Sequence, residues 1–129
     1  MILDVDFFKK INDHHGHPQG DALLRQLGGI LRESTGAHDV LCRYGGDEFT
    51  VTMPGTNRIG ALVIAERIRE GIEQYEFVLG GQIVHVTVSG GVASFPEDAD
   101  TSKELVERAD QAMFQAKQRG RNKVCFDGG

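Results

Sequence analysis

Apolar positions recur along this chain with two periods, one helical and one extended, and the switches between them outline the elements. Ile2-Leu3 reads as the end of a buried strand. Residues 7–15 carry a short helical pattern with Lys9, Lys10 and Asn12. Gly16 can stop that helix, and Pro18-Gln19-Gly20 predicts a loop. Leu23, Leu27, Ile30 and Leu31 mark one stripe of a second helix over 21–34. Gly28 and Gly29 inside it each cost about 1 kcal/mol relative to alanine. Residues 39–53 turn to strand character, with Val40–Tyr44 and Phe49–Met53 flanking Gly45-Gly46, a hairpin pattern. Thr56 or Asn57 caps a third helix with the stripe Ala61, Ala65, Ile68 and Ile72.

Further on, 82–95 holds a strand with Val84, Val86 and Val88 on one face, bent or broken at Gly90-Gly91. Thr101-Ser102-Lys103-Glu104 fits a capping box for a last helix bearing Leu105, Ala109, Ala112, Met113 and Ala116. Gly120 is placed to end that helix, and 123–126 closes as a strand. The predicted order is β-α-α-β-β-α-β-α-β. It implies an α/β (α+β sandwich) class with a mixed central sheet of about five strands and helices on both faces. The stripe residues, Met113 and Phe114 included, are assigned to the core.

Composition narrows the class without changing the fold. The 129 residues suit one domain over 1–129, which at that size needs no disulfide staple. A formal net charge of −5 disfavours general nucleic-acid binding, which calls for a basic surface. A small polyphosphate held by metal ions and a few local cations stays open. Cys42 and Cys125 show no metal spacing and are expected as buried free thiols of a reducing compartment. No segment reaches the ~18 consecutive apolar residues of a membrane span, and no signal peptide is visible. A cytoplasmic domain is expected.

The chemistry concentrates in two acidic motifs. Arg43-Tyr44-Gly45-Gly46-Asp47-Glu48-Phe49 places two carboxylates directly after a bare glycine turn that a ligand can approach closely. Asp4-Val5-Asp6 follows the first strand, and alternation puts Asp4 and Asp6 on one face. Magnesium takes oxygen donors, usually one or two carboxylates with phosphates and water. A pair of such ions about 3.5–4 Å apart is a common arrangement for in-line phosphoryl chemistry. Asp4, Asp6, Asp47 and Glu48 supply such a site if the two segments are neighbouring strands; otherwise they are solvated acids at strand ends. His14, His15 and His17 are read as loop and surface residues rather than a metal cluster, since magnesium prefers oxygen.

Together these motifs strongly resemble the GGDEF family, the catalytic domains of diguanylate cyclases. The resemblance rests on Asp4-Val5-Asp6-Phe7-Phe8-Lys9-Lys10-Ile11-Asn12-Asp13 with Gly16-His17 and Gly20-Asp21, and on the hairpin motif. It extends through 86–93, Ala109-Asp110, Ala116-Lys117 and Gly120-Arg121-Asn122. It implies a fold like nucleotidyl cyclases and polymerase palms. The implied activity is condensation of two GTP into cyclic di-GMP with release of two pyrophosphates, using Mg²⁺ or Mn²⁺, two per active site. Carried over by position, Asp4, Asp47 and Glu48 are catalytic. The implied metal ligands are Asp4, the Val5 carbonyl, Asp47 and Glu48, with Glu48 alternatively activating the attacking 3′-hydroxyl. Asn12 and Asp21 read guanine, whose adjacent N1–H and N2–H₂ donors suit a carboxylate such as Asp21. The Phe7 and Phe8 backbone N–H groups, Lys9, Lys117 and Arg121 bind phosphates. Alone, Lys117 and Arg121 also fit a solvated basic helix end.

A cyclic product made from one GTP per site implies a functional homodimer. The family often carries an inhibitory Arg-x-x-Asp site; here Gly36 replaces the arginine and Asp39 is present, so weak or absent product inhibition is expected there. Family domains usually carry some thirty further residues ahead of the first strand, so the chain reads as a truncated domain, with a sensory or receiver domain ahead of it in the parent protein. Two other readings compete with the cyclase. One is a silent module that binds GTP or cyclic di-GMP. The other is a cyclase making mixed AMP–GMP dinucleotides, against which Asp21 argues.

Overall fold

The computed structural model describes residues 1–127. In chain order its elements are β1 (Ile2–Val5), α1 (Phe8–His15), α2 (His17–Ser34), β2 (Val40–Arg43), β3 (Glu48–Thr52) and α3 (Arg58–Gln74). There follow β4 (Phe77–Leu79), β5 (Gln82–Val84), β6 (Val88–Val92), α4 (Ser102–Gln118) and β7 (Lys123–Phe126). The central sheet has five strands in the order β2-β3-β1-β6-β7. β1 runs antiparallel to both neighbours, and only β6 and β7 pair in parallel. The sheet is therefore mixed, as the pattern predicted.

Alternation along β1 divides the core. Leu3 and Val5 point into the larger apolar cluster with Leu23, Leu24, Leu27 and Leu31 of α2, Ile68 and Ile72 of α3, and Phe49 of β3. Ile2 points the other way, against Ala109 and Met113 of α4. Helices thus cover both faces, and Asp4 shares the α4 face with Ile2. The caps follow the sequence closely. Asn57 accepts from the Gly60 N–H at 2.9 Å, Thr101 accepts from the Glu104 N–H, and Glu104 reaches back to the Asp100 N–H. Among the described residues no helix is long and apolar enough to cross a membrane.

Several expectations are corrected. The strand expected over 82–95 is divided: 82–84 pairs with β4 in a separate hairpin, and 88–92 is the sheet strand β6. Strand β4 was not predicted, although Gly80-Gly81, with φ of 57° and 81°, gives the same turn signal as Gly45-Gly46. Val84, Val86 and Val88 still join one core cluster across the break. Gly90-Gly91 does not break the strand; both residues lie buried inside β6. A Cβ on Gly91 would stand 2.0 Å from the Ala109 carbonyl and 2.4 Å from the Met113 nitrogen, so the absent side chain is what lets α4 lie on the sheet. Pro18 opens α2 rather than a loop, since its missing N–H is one that a first helical turn leaves unpaired in any case. Cys42 is exposed, because β2 is an edge strand that α4 does not cover; Cys125 is buried. Phe114 is 59% exposed and not part of the core.

Candidate functional site

The β1–β3 register brings the two acidic motifs together. Asp4 lies directly opposite Glu48, and on its other side opposite Ser89 of β6. The turn between β2 and β3 spans 44–47 and is held by Tyr44 N–H to the Glu48 carbonyl (2.6 Å) and Arg43 Nη2 to the Gly46 carbonyl (2.7 Å). Gly45 alone of the two glycines uses a positive φ, 79°. Asp47 closes this turn, and its carbonyl accepts from the Val5 N–H at 3.3 Å, which ties the hairpin tip to the end of β1.

The electrostatics of the cluster follow from this crowding. Asp47 is pushed up to about 6, first by burial, then by the hydrogen bond its neutral form makes with Asp4 and by the Asp4 charge. Its own backbone hydrogen bond and Lys117 pull the other way. Glu48 is raised by burial and by the charges of Asp110 and Asp4, again opposed by Lys117. Lys117, two turns after Asp110 on α4, forms an ion pair with Asp4 Oδ2. Asp4 Oδ1 is buried with no hydrogen-bond partner among the described residues. An orphaned carboxylate oxygen beside a second, reluctantly ionised carboxylate fits a hard divalent cation, which would relieve both. Asp4 and Asp47 are the carboxylates that could hold such an ion, with Glu48 opposite Asp4 in the ladder. Among the described residues no group of three or more His, Cys, Asp or Glu side chains is placed to hold a metal ion by itself. An ion that keeps positions for phosphate oxygens and water suits such a partial donor set.

Asp6 is not part of that cluster. It is 4% exposed, and its carboxylate accepts from Thr87 Oγ1 (2.7 Å), Ser89 Oγ (2.7 Å) and the Asn122 N–H (3.0 Å). Its expected role beside Asp4 as a metal donor is therefore replaced by an internal one.

Helix α1 starts next to the carboxylates. Its N-cap, Phe7, has φ 58° and no side-chain capping bond, so the first N–H groups of the helix face outward unsatisfied, a setting for an anion. Lys10 Nζ lies 4.9 Å and the Arg121 guanidinium 4.7 Å from the Phe7 ring centroid. Phe8 turns toward α2, and Lys9 is exposed. Asn12 of α1 packs against Gly20 of α2, the residue before Asp21. Asn12 Oδ1 is buried without a partner, and a Cβ on Gly20, the residue before Asp21, would stand 1.8 Å from it. His14 and His15 meet edge to face at 4.6 Å in the last turn of α1, and His17 opens α2, so these histidines lie on helices rather than in a loop. Asp39 accepts from the Gly36 N–H at 2.8 Å and stands apart from the cluster.

The sequence joins Asp4 to Asp47 and Glu48 on the condition that their segments are neighbouring strands, which β1 and β3 are; Lys117, read there as a phosphate cation, is ion-paired with Asp4. Sequence reasoning left out Asp110, whose spacing of seven from Lys117 puts both on one face of α4. It also left out Gly20 as the slot for Asn12. A cavity of about 530 Å³ lies on the α4 side of the sheet, lined by Tyr44, Thr50, Met53, Phe95, Leu105 and Val106 among others. It contains none of the clustered carboxylates.

The sequence model of the family described as "Diguanylate cyclase, GGDEF domain" matches residues 1–123. The chain is 42% identical over 126 residues to diguanylate cyclase A of Treponema denticola, covering 98% of the chain and 34% of that protein. It is 45% identical to the response regulator PleD of Caulobacter vibrioides, covering 96% of the chain and 28% of that protein. The solved GGDEF domain of PA1120 (YfiN or TpbB) from Pseudomonas aeruginosa superposes with a TM-score of 0.92 at 35% identity, covering 96% of this chain and 78% of that one. The chain thus spans about a third or less of the length of these curated relatives.

Proposed function

The chain belongs to the GGDEF family of diguanylate cyclase domains, and from that premise we propose that it joins two GTP molecules into cyclic di-GMP with release of two pyrophosphates. The observation that carries the proposal is the packing of Asp4, Asp47 and Glu48 at the meeting of β1 and the hairpin, with Asp47 held near 6 and Asp4 Oδ1 unpaired.

Bound there by Asp4, Asp47 and the Val5 carbonyl, Mg²⁺ or Mn²⁺, two per site in the family pattern, would offset the triphosphate charge and acidify a 3′-hydroxyl. The outward N–H groups at Phe7 and Phe8, with Lys9, Lys117 and Arg121, hold the phosphates. Asn12 and Asp21 hold the guanine edge, and the shape of that slot depends on Gly20. Glu48, made more basic by burial and by its acidic neighbours, takes the proton of the 3′-hydroxyl. That oxygen forms the new bond to the α-phosphorus of the second GTP as the bond to pyrophosphate breaks in line. Both phosphodiester bonds of the cyclic product form this way, each releasing one pyrophosphate, so two protomers face each other, each presenting one GTP. In its parent protein the domain is driven by a preceding sensory or receiver region, in keeping with a relative named as a response regulator.

The competing reading is a silent module that binds GTP or cyclic di-GMP. The intact Gly45-Gly46-Asp47-Glu48 favours turnover. Glu48→Gln separates the two: a cyclase loses product formation while still binding GTP with Mg²⁺. A wild-type protein that binds GTP and yields no product, alone or joined to its natural preceding region, would establish the silent module.

A further inference from the structure

Asp6 belongs to the acidic motif but spends its charge inside the protein. Two of its three donors, Thr87 and Ser89, lie on and just before β6; the third is the backbone N–H of Asn122. Asn122 and the preceding Arg121 both have positive φ, 48° and 65°, a pairing that L residues hold only where surrounding bonds fix it. The turn leaving α4 is closed on one side by Arg121 N–H to the Ala116 carbonyl at 3.0 Å. On the other side the Asn122 side chain is gripped by α3. Its Oδ1 accepts from Arg69 Nη1 at 2.8 Å, and its Nδ2 donates to Glu73, which also pairs with Arg69. The residue this turn presents is Arg121, whose guanidinium rests over the Phe7 ring beside the open start of α1.

We infer that Asp6 and Asn122, backed by Glu73 and Arg69, are positioning residues that fix Arg121 at the polyphosphate end of the nucleotide site. None of the four is assigned a contact with the nucleotide. The inference rests on Arg121 binding phosphate, as in the proposed function.

The physical case is one of entropy and backbone shape. A long arginine side chain on a freely turning helix end samples many positions. A turn pinned from β1 through Asp6 and from α3 through Asn122 allows few, so less freedom is lost when an anion binds.

The test is binding of a GTP analogue with a non-cleavable α–β bridge, with Mg²⁺, by calorimetry on the full chain. Asn122→Gly is the informative variant, because glycine keeps the left-handed backbone and the N–H to Asp6 while removing both side-chain bonds. It should weaken the analogue about fivefold, leave 5′-GMP binding unchanged, and have almost no further effect in an Arg121→Ala background. Asp6→Asn, checked for folding by its melting curve, should show the same pattern. Equal weakening of GMP and the triphosphate analogue, or equal losses with and without Arg121, would overturn the inference. If Arg121→Ala alone binds the analogue like the wild type, the phosphate role of Arg121 itself is wrong, which is a separate failure.

Discussion

Asp4 and Glu48 face each other across the β1–β3 ladder, so the first and second acidic motifs, more than forty residues apart in sequence, form one carboxylate cluster. Asp47 leans on Asp4 from the turn, and Lys117 is the counter-charge. The strands that carry the cluster are held by backbone pairing, so its side chains can be exchanged one at a time without losing the scaffold.

The first expected consequence is a pH dependence of metal-free stability. Asp47 titrates near 6 when folded and near 3.8 when unfolded. The folded state then binds more protons than the unfolded state between those values, and stability falls as pH rises through that window. Glu48, also raised, acts in the same direction. The Met1 amino group is lowered to about 6 from 8.0 by burial, and it acts oppositely between those two values, where stability gains as pH rises. Urea denaturation at pH 4 and pH 6 should therefore show lower stability at pH 6, and Asp47→Asn should flatten much of the difference. Saturating Mg²⁺ should raise stability at pH 6 more than at pH 4.

Two glycine positions should respond with opposite signs. A Cβ on Gly91 would collide with the backbone of α4 at 2.0 Å and 2.4 Å. Gly91→Ala should cost about 3 kcal/mol or more, at the high end for overpacking. Gly29, inside α2, has nothing within 4 Å of a built Cβ. Gly29→Ala should stabilise by about 0.5–1 kcal/mol through helix propensity. Thermal melts of the two variants check both at once.

At the proposed guanine slot, Gly20→Ala should push the Asn12 amide out of place without unfolding the chain, because the atom displaced is the end of a side chain. GTP affinity is expected to fall about tenfold, the loss of one well-made polar contact in a built site. Calorimetry with GTP and Mg²⁺ measures it, and unchanged affinity would remove Asn12 from the site.

Product inhibition should be weak at the site that Gly36 and Asp39 occupy. Asp39 already accepts from the Gly36 N–H, and glycine offers no guanidinium for a phosphate. Titration of cyclic di-GMP should show no submicromolar binding that Asp39→Ala abolishes.

Much of this fold and site was legible in the chain because the informative residues signal locally. The caps Asn57 and Thr101, the stripes of α2, α3 and α4, and the Gly45-Gly46 turn each act within a few residues. What was missed depends on distant partners. Gly90-Gly91 resembles a strand breaker until α4 is laid over it, and only then is the lack of a Cβ a packing requirement. Asp6 resembles Asp4 until Thr87, Ser89 and Asn122 arrive from other elements. Cys42 has the sequence setting of a core residue, yet its strand lies at the sheet edge. The β4–β5 hairpin was legible in principle from Gly80-Gly81, but strands of three residues give too short a run for alternation to show.

The most direct test of the carboxylate cluster as a cyclase centre is the identity of the product formed from GTP and Mg²⁺, read by liquid chromatography and mass spectrometry. Cyclic di-GMP with pyrophosphate from the wild type, and none from Asp4→Asn or Glu48→Gln, is the expected result. Cyclic di-GMP at undiminished rate from those variants, or a product made by hydrolysis alone, would contradict it.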